Sequence, residues 1–477
     1  MNKLRATIVF SVLMAIGSAS LFLSSCKGKS MEGMIIFTQV IGNELNIINN
    51  TEDSWRYIPQ TRIVATDSAN PDGSIKVLTE DYYSARSPEI SSDGNFLLFT
   101  AQKKQNDPWQ IWEMNLSDLK TRTITASPDN CLDPTYLPGG RIVFSIIGVN
   151  DSSKADHSLF TCDLNGTDLK RITFNNNNYF APVVLIDGRV LTISRKIHHG
   201  TVDHQFIVLR PDGTKEELFY RGSGGSALVS RGRETTNGKI VFIESANFTV
   251  EGGSIISINY NRPLHTRVNL TSELNGKFSS VFPMKSGKML VSYRPSPTDR
   301  SALYEFDPEK MLLGRTLYNS KEYDALDAIL VENHELPKKL PSEVDTGVKT
   351  GLILCQNINL SDQKSAGDAA SSPKAFEIEV IGTDSTLGVV QVEDDGSFYL
   401  KVIADTPIKI QTLDKNGNVI QSCDWIWLRP NERRGCVGCH ENPEIVPANR
   451  VPLSVKKSPV IIPMHFNKVV EKKVSLE

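Results

Sequence analysis

The sequence predicts an all-β fold, and two observations carry that reading. A turn ending in Gly and followed by an apolar strand recurs at a steady interval, and Asn, Asp, Gly and Ser punctuate short Ile/Val/Leu/Phe runs along the whole chain. Turn residues at that density interrupt any long helix and instead join many short strands.

The first 25 residues read as a lipoprotein signal peptide and stand outside the fold. Lys3 and Arg5 give a basic start, Ile8 to Leu23 an apolar stretch, and Leu23-Ser24-Ser25-Cys26 ends it in the pattern of a bacterial lipobox. Cys26 is then the lipidation site and the first residue of the mature chain, and 26–32 is the tether. More than one acyl chain makes such an anchor stable, so the expected partner is a membrane and the expected location the cell envelope, in the periplasm or at the outer membrane of a Gram-negative-type bacterium. The plainer reading is a simple signal peptide or anchor with an incidental Cys.

Residues 33–332 read as a β-propeller. The recurring phrase is Ser92-Asp93-Gly94 before Phe96-Leu97-Leu98-Phe99, and Pro138-Gly139-Gly140 before Ile142-Val143-Phe144. It returns before Val190-Leu191, Ile240-Val241-Phe242 and Met289-Leu290-Val291. The glycines at 94, 140, 188, 238 and 287 lie 46 to 50 residues apart. Four short strands per unit at that period describe propeller blades. Met34-Ile35-Ile36-Phe37 and Ile75-Lys76-Val77-Leu78 complete a further unit across an insertion. The count is six blades, with seven as the alternative.

Residues 333–346 are rich in proline and poor in apolar side chains, and read as a linker. Residues 347–428 read as a small β-sandwich, with strands at Leu352-Ile353-Leu354, Phe376 to Val380, Val389 to Val392, Phe398 to Val402 and Ile408 to Leu413. Residues 429–477 form the last segment.

That segment holds the one sharp motif, Cys436-Val437-Gly438-Cys439-His440. Two thiols one turn apart add to the two vinyl groups of a haem, and the imidazole that follows reaches the iron, so the motif predicts one covalent c-type haem. Cys436 and Cys439 are the attachment sites and His440 the proximal iron ligand. A zinc site would need two more ligands, and no second Cys/His pair stands nearby; a thioredoxin-like dithiol would need a βαβ setting. Met464 or His465 lies at a plausible reach for the distal ligand, while Met464 in an apolar run also reads as core. Arg433 and Arg434 could pair with haem propionates or form a solvated turn, and the alternating Trp425 and Trp427 could wall the haem or pack in a core. His198, His199 and His204 near Asp203 suggest either a metal loop or an exposed His-rich one. Four further cysteines, Cys131, Cys162, Cys355 and Cys423, allow three disulfide pairings or stand as buried thiols.

Composition sets bounds on partners. With 39% hydrophobic and 22% charged residues and a net charge of −3, the chain is an ordinary folded protein of two or three domains that offers nothing to nucleic acid.

The blade phrases resemble the TolB-type, WD40-like repeat of periplasmic proteins. The run from Ser422 to Glu441 resembles the haem segment of the hydrazine synthase alpha-subunit-like family, as do Glu393 to Tyr399, Ala404-Asp405-Thr406-Pro407 and Cys131-Leu132-Asp133-Pro134. The resemblance implies the same architecture over nearly the whole mature chain. It also implies two haems and partner subunits in the synthase itself, whereas this chain has a single Cys-x-x-Cys-His. In that family the motif His goes to zinc and a Tyr four residues later takes the iron. Here Glu444 stands at that place, which leaves His440 as the simpler ligand.

The functional expectation is a lipid-anchored monohaem c-type protein in electron transfer or redox sensing, with a redox partner protein. The alternatives are a haem enzyme acting on a small nitrogen or oxygen compound, and a propeller scaffold whose Cys motif is structural. Whether the protein is an enzyme stays open at this point, because no acid–base pair accompanies the motif in sequence.

Overall fold

The computed structural model describes residues 31–41, 58, 60–70, 73, 75–148, 157–175, 177–198, 201–222, 226–246, 252–360, 373–438 and 449–463. It is all-β, with one short 3-10 turn at Leu453–Lys456 among the described residues. No described helix is long and apolar enough to cross a membrane.

Six antiparallel sheets follow one another from Met34 to Leu330. The sheet Ser84–Ile90, Phe96–Gln102, Gln110–Asn115 and Thr121–Thr123 shows the common pattern, a meander in chain order. Each sheet packs on the next and the sixth on the first, so the sheets form a closed ring. The first sheet is made from both ends of this region: Tyr323–Leu330 is its inner strand, paired antiparallel with Met34–Ile41. That pairing ties the ends of the ring together.

The period-2 pattern decides where the core sits. Phe37, Phe99, Phe144 and Phe242 occupy the same place in the second strand of four sheets, and all are fully buried between neighbouring sheets. Burying such a ring contributes roughly 1.5–3 kcal/mol.

The inner strands share a device absent from the glycine phrases. Ser87, Asp133, Ala181 and Asp327 adopt φ of 54°, 54°, 51° and 49°. The register slips at the first three of these bulges, between Arg86 and Glu89, Leu132 and Thr135, and Phe180 and Val183. Pro88, Pro134 and Pro182 follow directly, at bulges where the ladder does not need their missing N–H.

The second unit is a sandwich of two sheets. One has the order Arg433–Cys436, Thr350–Cys355, Phe398–Ile403, Val460–Ile461; the other Thr386–Gln391, Glu377–Ile381, Lys409–Leu413, Val419–Ser422. Ile353, Ile378, Val380, Leu400 and Leu428 fill the space between them. The sequence-based boundary at 428 therefore moves. The segment 429–477 contributes two strands to the sandwich, both pairing in parallel with sandwich strands. These strands are four and two residues long, too short for an alternation to announce them.

The linker is an extended strap on the ring. His334 N donates to Ser92 O at 2.8 Å, Lys338 N to Ile186 O at 3.0 Å, and Glu343 N to Asp212 Oδ2 at 2.7 Å. Sandwich and ring also share a core: Trp427, fully buried, packs edge-on to Tyr179 at 6.1 Å among Leu137, Ile207 and Leu209.

Candidate haem attachment site

Cys436 ends the strand Arg433–Cys436, half-buried and in register with Cys355 of the neighbouring strand. The backbone beyond it stays fastened, since Gln356 N donates to Cys436 O at 2.9 Å and Asn357 N to Val437 O at 3.1 Å. Gly438 is held so close to the same neighbour that a Cβ there would sit 2.2 Å from Leu360 O. Only glycine permits that approach, which fixes the residues between the two motif cysteines against Asn357 to Leu360. Cys439, His440, Glu444, Met464 and His465 lie outside the described residues, as does Cys26.

The segment leading into the motif is locked to the ring. Glu432, 1% exposed, accepts Lys215 N at 2.8 Å and Arg434 Nε and Nη2 at 3.1 and 2.9 Å on Oε1, and Arg429 N at 2.7 Å on Oε2. Arg434 is 3.9 Å from Glu216 of the ring as well. Burial alone would lower its pKa, but the Glu432 and Glu216 carboxylates more than offset that and hold it raised. Its charge is thus engaged at the interface, whereas Arg433 is exposed. Arg429 completes the joint: Nε donates to Asp212 O at 2.9 Å, Nη1 meets Asp405 at 2.6 Å, and the guanidinium lies 4.6 Å above the Phe174 ring. Burial outweighs Arg429 at Asp405 and raises its carboxyl pKa.

Both tryptophan positions contact the ring, Trp427 through its side chain and Trp425 through its carbonyl. Trp427 sits in the shared core, and its Nε1 has no hydrogen-bond partner among the described residues. Trp425 is half-buried, its carbonyl accepting Asn175 Nδ2 at 3.3 Å.

The remaining sequence candidates are placed as follows. Cys131, Cys162, Cys355, Cys423 and Cys436 are thiols. Burial pushes Cys131 up to about 12 and Cys162 to about 11, as expected of inert core thiols. His204 Nδ1 accepts Leu228 N at 3.2 Å, and its ring lies edge-on to Phe180, so it serves the packing of the ring. His199 and the side chains of His198 and Asp203 lie outside the described residues. Among the described residues no three His, Cys, Asp or Glu are grouped to hold a metal ion. Sequence reading missed Glu432 altogether. Its one signal was a Glu three residues after Arg429 in a Pro-Asn turn, a pattern too common to single out.

Comparisons with known proteins agree with this architecture. Residues 351–441 match the family described as hydrazine synthase alpha subunit middle domain. Hydrazine synthase subunit alpha of Kuenenia stuttgartiensis is 23% identical over 80% of this chain, which spans 63% of that relative's length. The solved Kuenenia stuttgartiensis hydrazine synthase aligns with a TM-score of 0.79 at 20% identity, over 89% of this chain and 71% of its own. TolB from Acinetobacter baumannii aligns at 14% identity over 63% of this chain and 67% of its own, with a TM-score of 0.42. The chain is thus an all-β, propeller-like protein similar to the hydrazine synthase alpha subunit, and its residues 351–441 match that subunit's middle domain.

Proposed function

We propose that this chain is an exported, lipid-anchored protein that carries one covalent haem c and works in electron transfer or redox sensing with a partner protein. The observation that carries the reading is the Cys436-x-x-Cys439-His440 motif, whose first cysteine ends a strand fastened on its neighbour through Gln356 and Asn357. Two features support the reading: Cys436 is half-buried at the end of its strand, and Gly438 packs closely on Leu360, while Cys439 and His440 lie outside the described residues. Cys436 and Cys439 would hold the porphyrin and His440 the iron; a haem so held would supply one-electron chemistry. The lock at Glu432 and Arg434 keeps the attachment strand in one place relative to the ring.

A second reading, a haem enzyme acting on a small nitrogen compound, is favoured by the match of 351–441 to the middle domain of a hydrazine synthase subunit. Intact-mass spectrometry of the mature protein, made in a host with a cytochrome c maturation system, tests both at once. One haem adduct and a lipidated N-terminus at Cys26 are expected; an unmodified polypeptide overturns both haem readings. Carbon monoxide binding then separates them, being poor for a six-coordinate carrier and ready for an open iron.

A further inference from the structure

The ring has a concave site whose lining includes no residue of 429–477. At the mouth formed by the turns between inner and second strands lies a cavity of about 1150 Å3, with the strap residues Glu335, Leu336 and Pro337 along one side. Its walls are largely apolar, from Ile90, Leu137, Leu185, Phe282 and Met284, and Leu336 is 61% exposed at its rim. Cavities holding organic ligands commonly measure about 300–1,000 Å3 and combine apolar walls with a few placed polar groups. This one is therefore far larger than a bare ion requires.

Charge decides the class of ligand. Glu89 at the floor is held by Arg233 at 2.9 and 2.6 Å, and Glu113 by Arg122 Nε at 2.7 Å and Tyr136 Oη at 3.0 Å. With those pairs balanced, the lining still carries Asp93, Glu234, Glu332 and Glu335 against Lys285 and His334, whose pKa burial lowers. Asp93 is used within its turn, accepting Ser91 Oγ at 2.6 Å and Asn95 N at 3.1 Å. Glu234 is different. It accepts Ile186 N at 2.8 Å, yet burial and the nearby Asp187 and Glu335 carboxylates raise its pKa. Asp187 is itself bound by Arg189 at 2.6 Å. The Glu234–Glu335 edge thus holds carboxylate charge that a ligand cation would relieve, while an anion would add to the repulsion.

We propose that this mouth of the ring binds an organic cation, an amine or amidine on an apolar body, with the charged group at Glu234 and Glu335 and the body along Phe282, Met284 and Leu336. The exposed Leu336 side chain is the surface such a body would cover.

Titration calorimetry on the full mature protein tests this with three probes of one shape: benzamidine (cationic), benzamide (neutral) and benzoate (anionic). Benzamidine should bind at least about tenfold more tightly than either other probe, and Glu234→Gln with Glu335→Gln should remove at least about tenfold of that affinity. Equal binding of the three probes, tighter benzoate, absent benzamidine binding, or unchanged affinity in the double variant would overturn the assignment. Should the double variant fail to fold, Thr236→Trp, an exposed turn position on the lining, gives a separate reading by filling the mouth. Loss of benzamidine binding there supports the site, and full retention sinks it.

Discussion

The Glu432 carboxylate, on the segment that leads into the haem motif, accepts the backbone N–H of Lys215 in the ring at 2.8 Å. One buried side chain thereby joins the two units through positions 217 residues apart in sequence. Because Glu432 also holds Arg434 and the amide of Arg429, its removal leaves two amides unpaired and the buried Arg434 guanidinium with only Glu216, at 3.9 Å, to balance it.

Glu432→Ala should therefore destabilise the protein by about 3–5 kcal/mol, the range for breaking a buried ion pair by removing one partner. Glu432→Gln keeps an acceptor and should cost less. Denaturant unfolding followed by Trp fluorescence checks this, since Trp427 lies in the same interface. A change below about 1 kcal/mol for Glu432→Ala would show that the joint is not a structural lock.

The floor of the ring should be acid-sensitive. Burial pushes the Glu89 pKa up, but Arg233 and Arg231 outweigh it, and the folded value lies below the ordinary 4.5. A depressed carboxylate pKa adds stability that is fully present above the unfolded value and is lost as pH falls through the folded one. Stability should thus decline as pH drops below 4.5, and Glu89→Gln should flatten that decline while lowering stability at neutral pH. Unfolding midpoints measured from pH 7 to pH 3 give the comparison, and parallel curves would count against the pairing.

Cys131 and Cys162 should resist thiol reagents in the folded protein. Both are buried, with pKa values pushed up to about 12 and 11, so almost no thiolate exists at pH 8. Peptide mapping after iodoacetamide treatment should find them alkylated only in denaturant. Modification at equal rates in native buffer would contradict the buried placement.

Gly438→Ala should lower haem incorporation, because the added Cβ meets Leu360 O at 2.2 Å and must displace the stretch between the motif cysteines. Gly435→Ala, where a Cβ meets nothing within 4 Å, is the matched control and should load normally. Haem absorbance per protein is the measure. Equal loading of the two variants would mean that the close packing at Gly438 does not guide attachment.

The distal ligand separates carrier from enzyme. With Met464 or His465 on the iron, the ferric spectrum should be low-spin, and replacing that residue by Ala should turn it high-spin. A wild-type spectrum that is already high-spin would favour the enzyme reading instead.

The all-β class and the repeated Gly-turn phrases were legible in the sequence, because strands and tight turns leave local, periodic marks. So was Cys436-x-x-Cys439-His440, a motif contained within five residues. Tertiary structure alone decided the rest. The pairing of Met34–Ile41 with Tyr323–Leu330 joins residues nearly the whole ring apart, and no local pattern names a strand's distant neighbour. Arg434 looked available to a haem until folding set Glu216 and Glu432 beside it. Trp425 and Trp427 alternate in the sequence, and only the docked ring shows that the Trp427 indole closes the core around Tyr179. Periodicity fixes which face a side chain takes. What lies opposite that face is set by contacts between segments hundreds of residues apart, where the entropy of closing the chain is offset by burial that the sequence does not display.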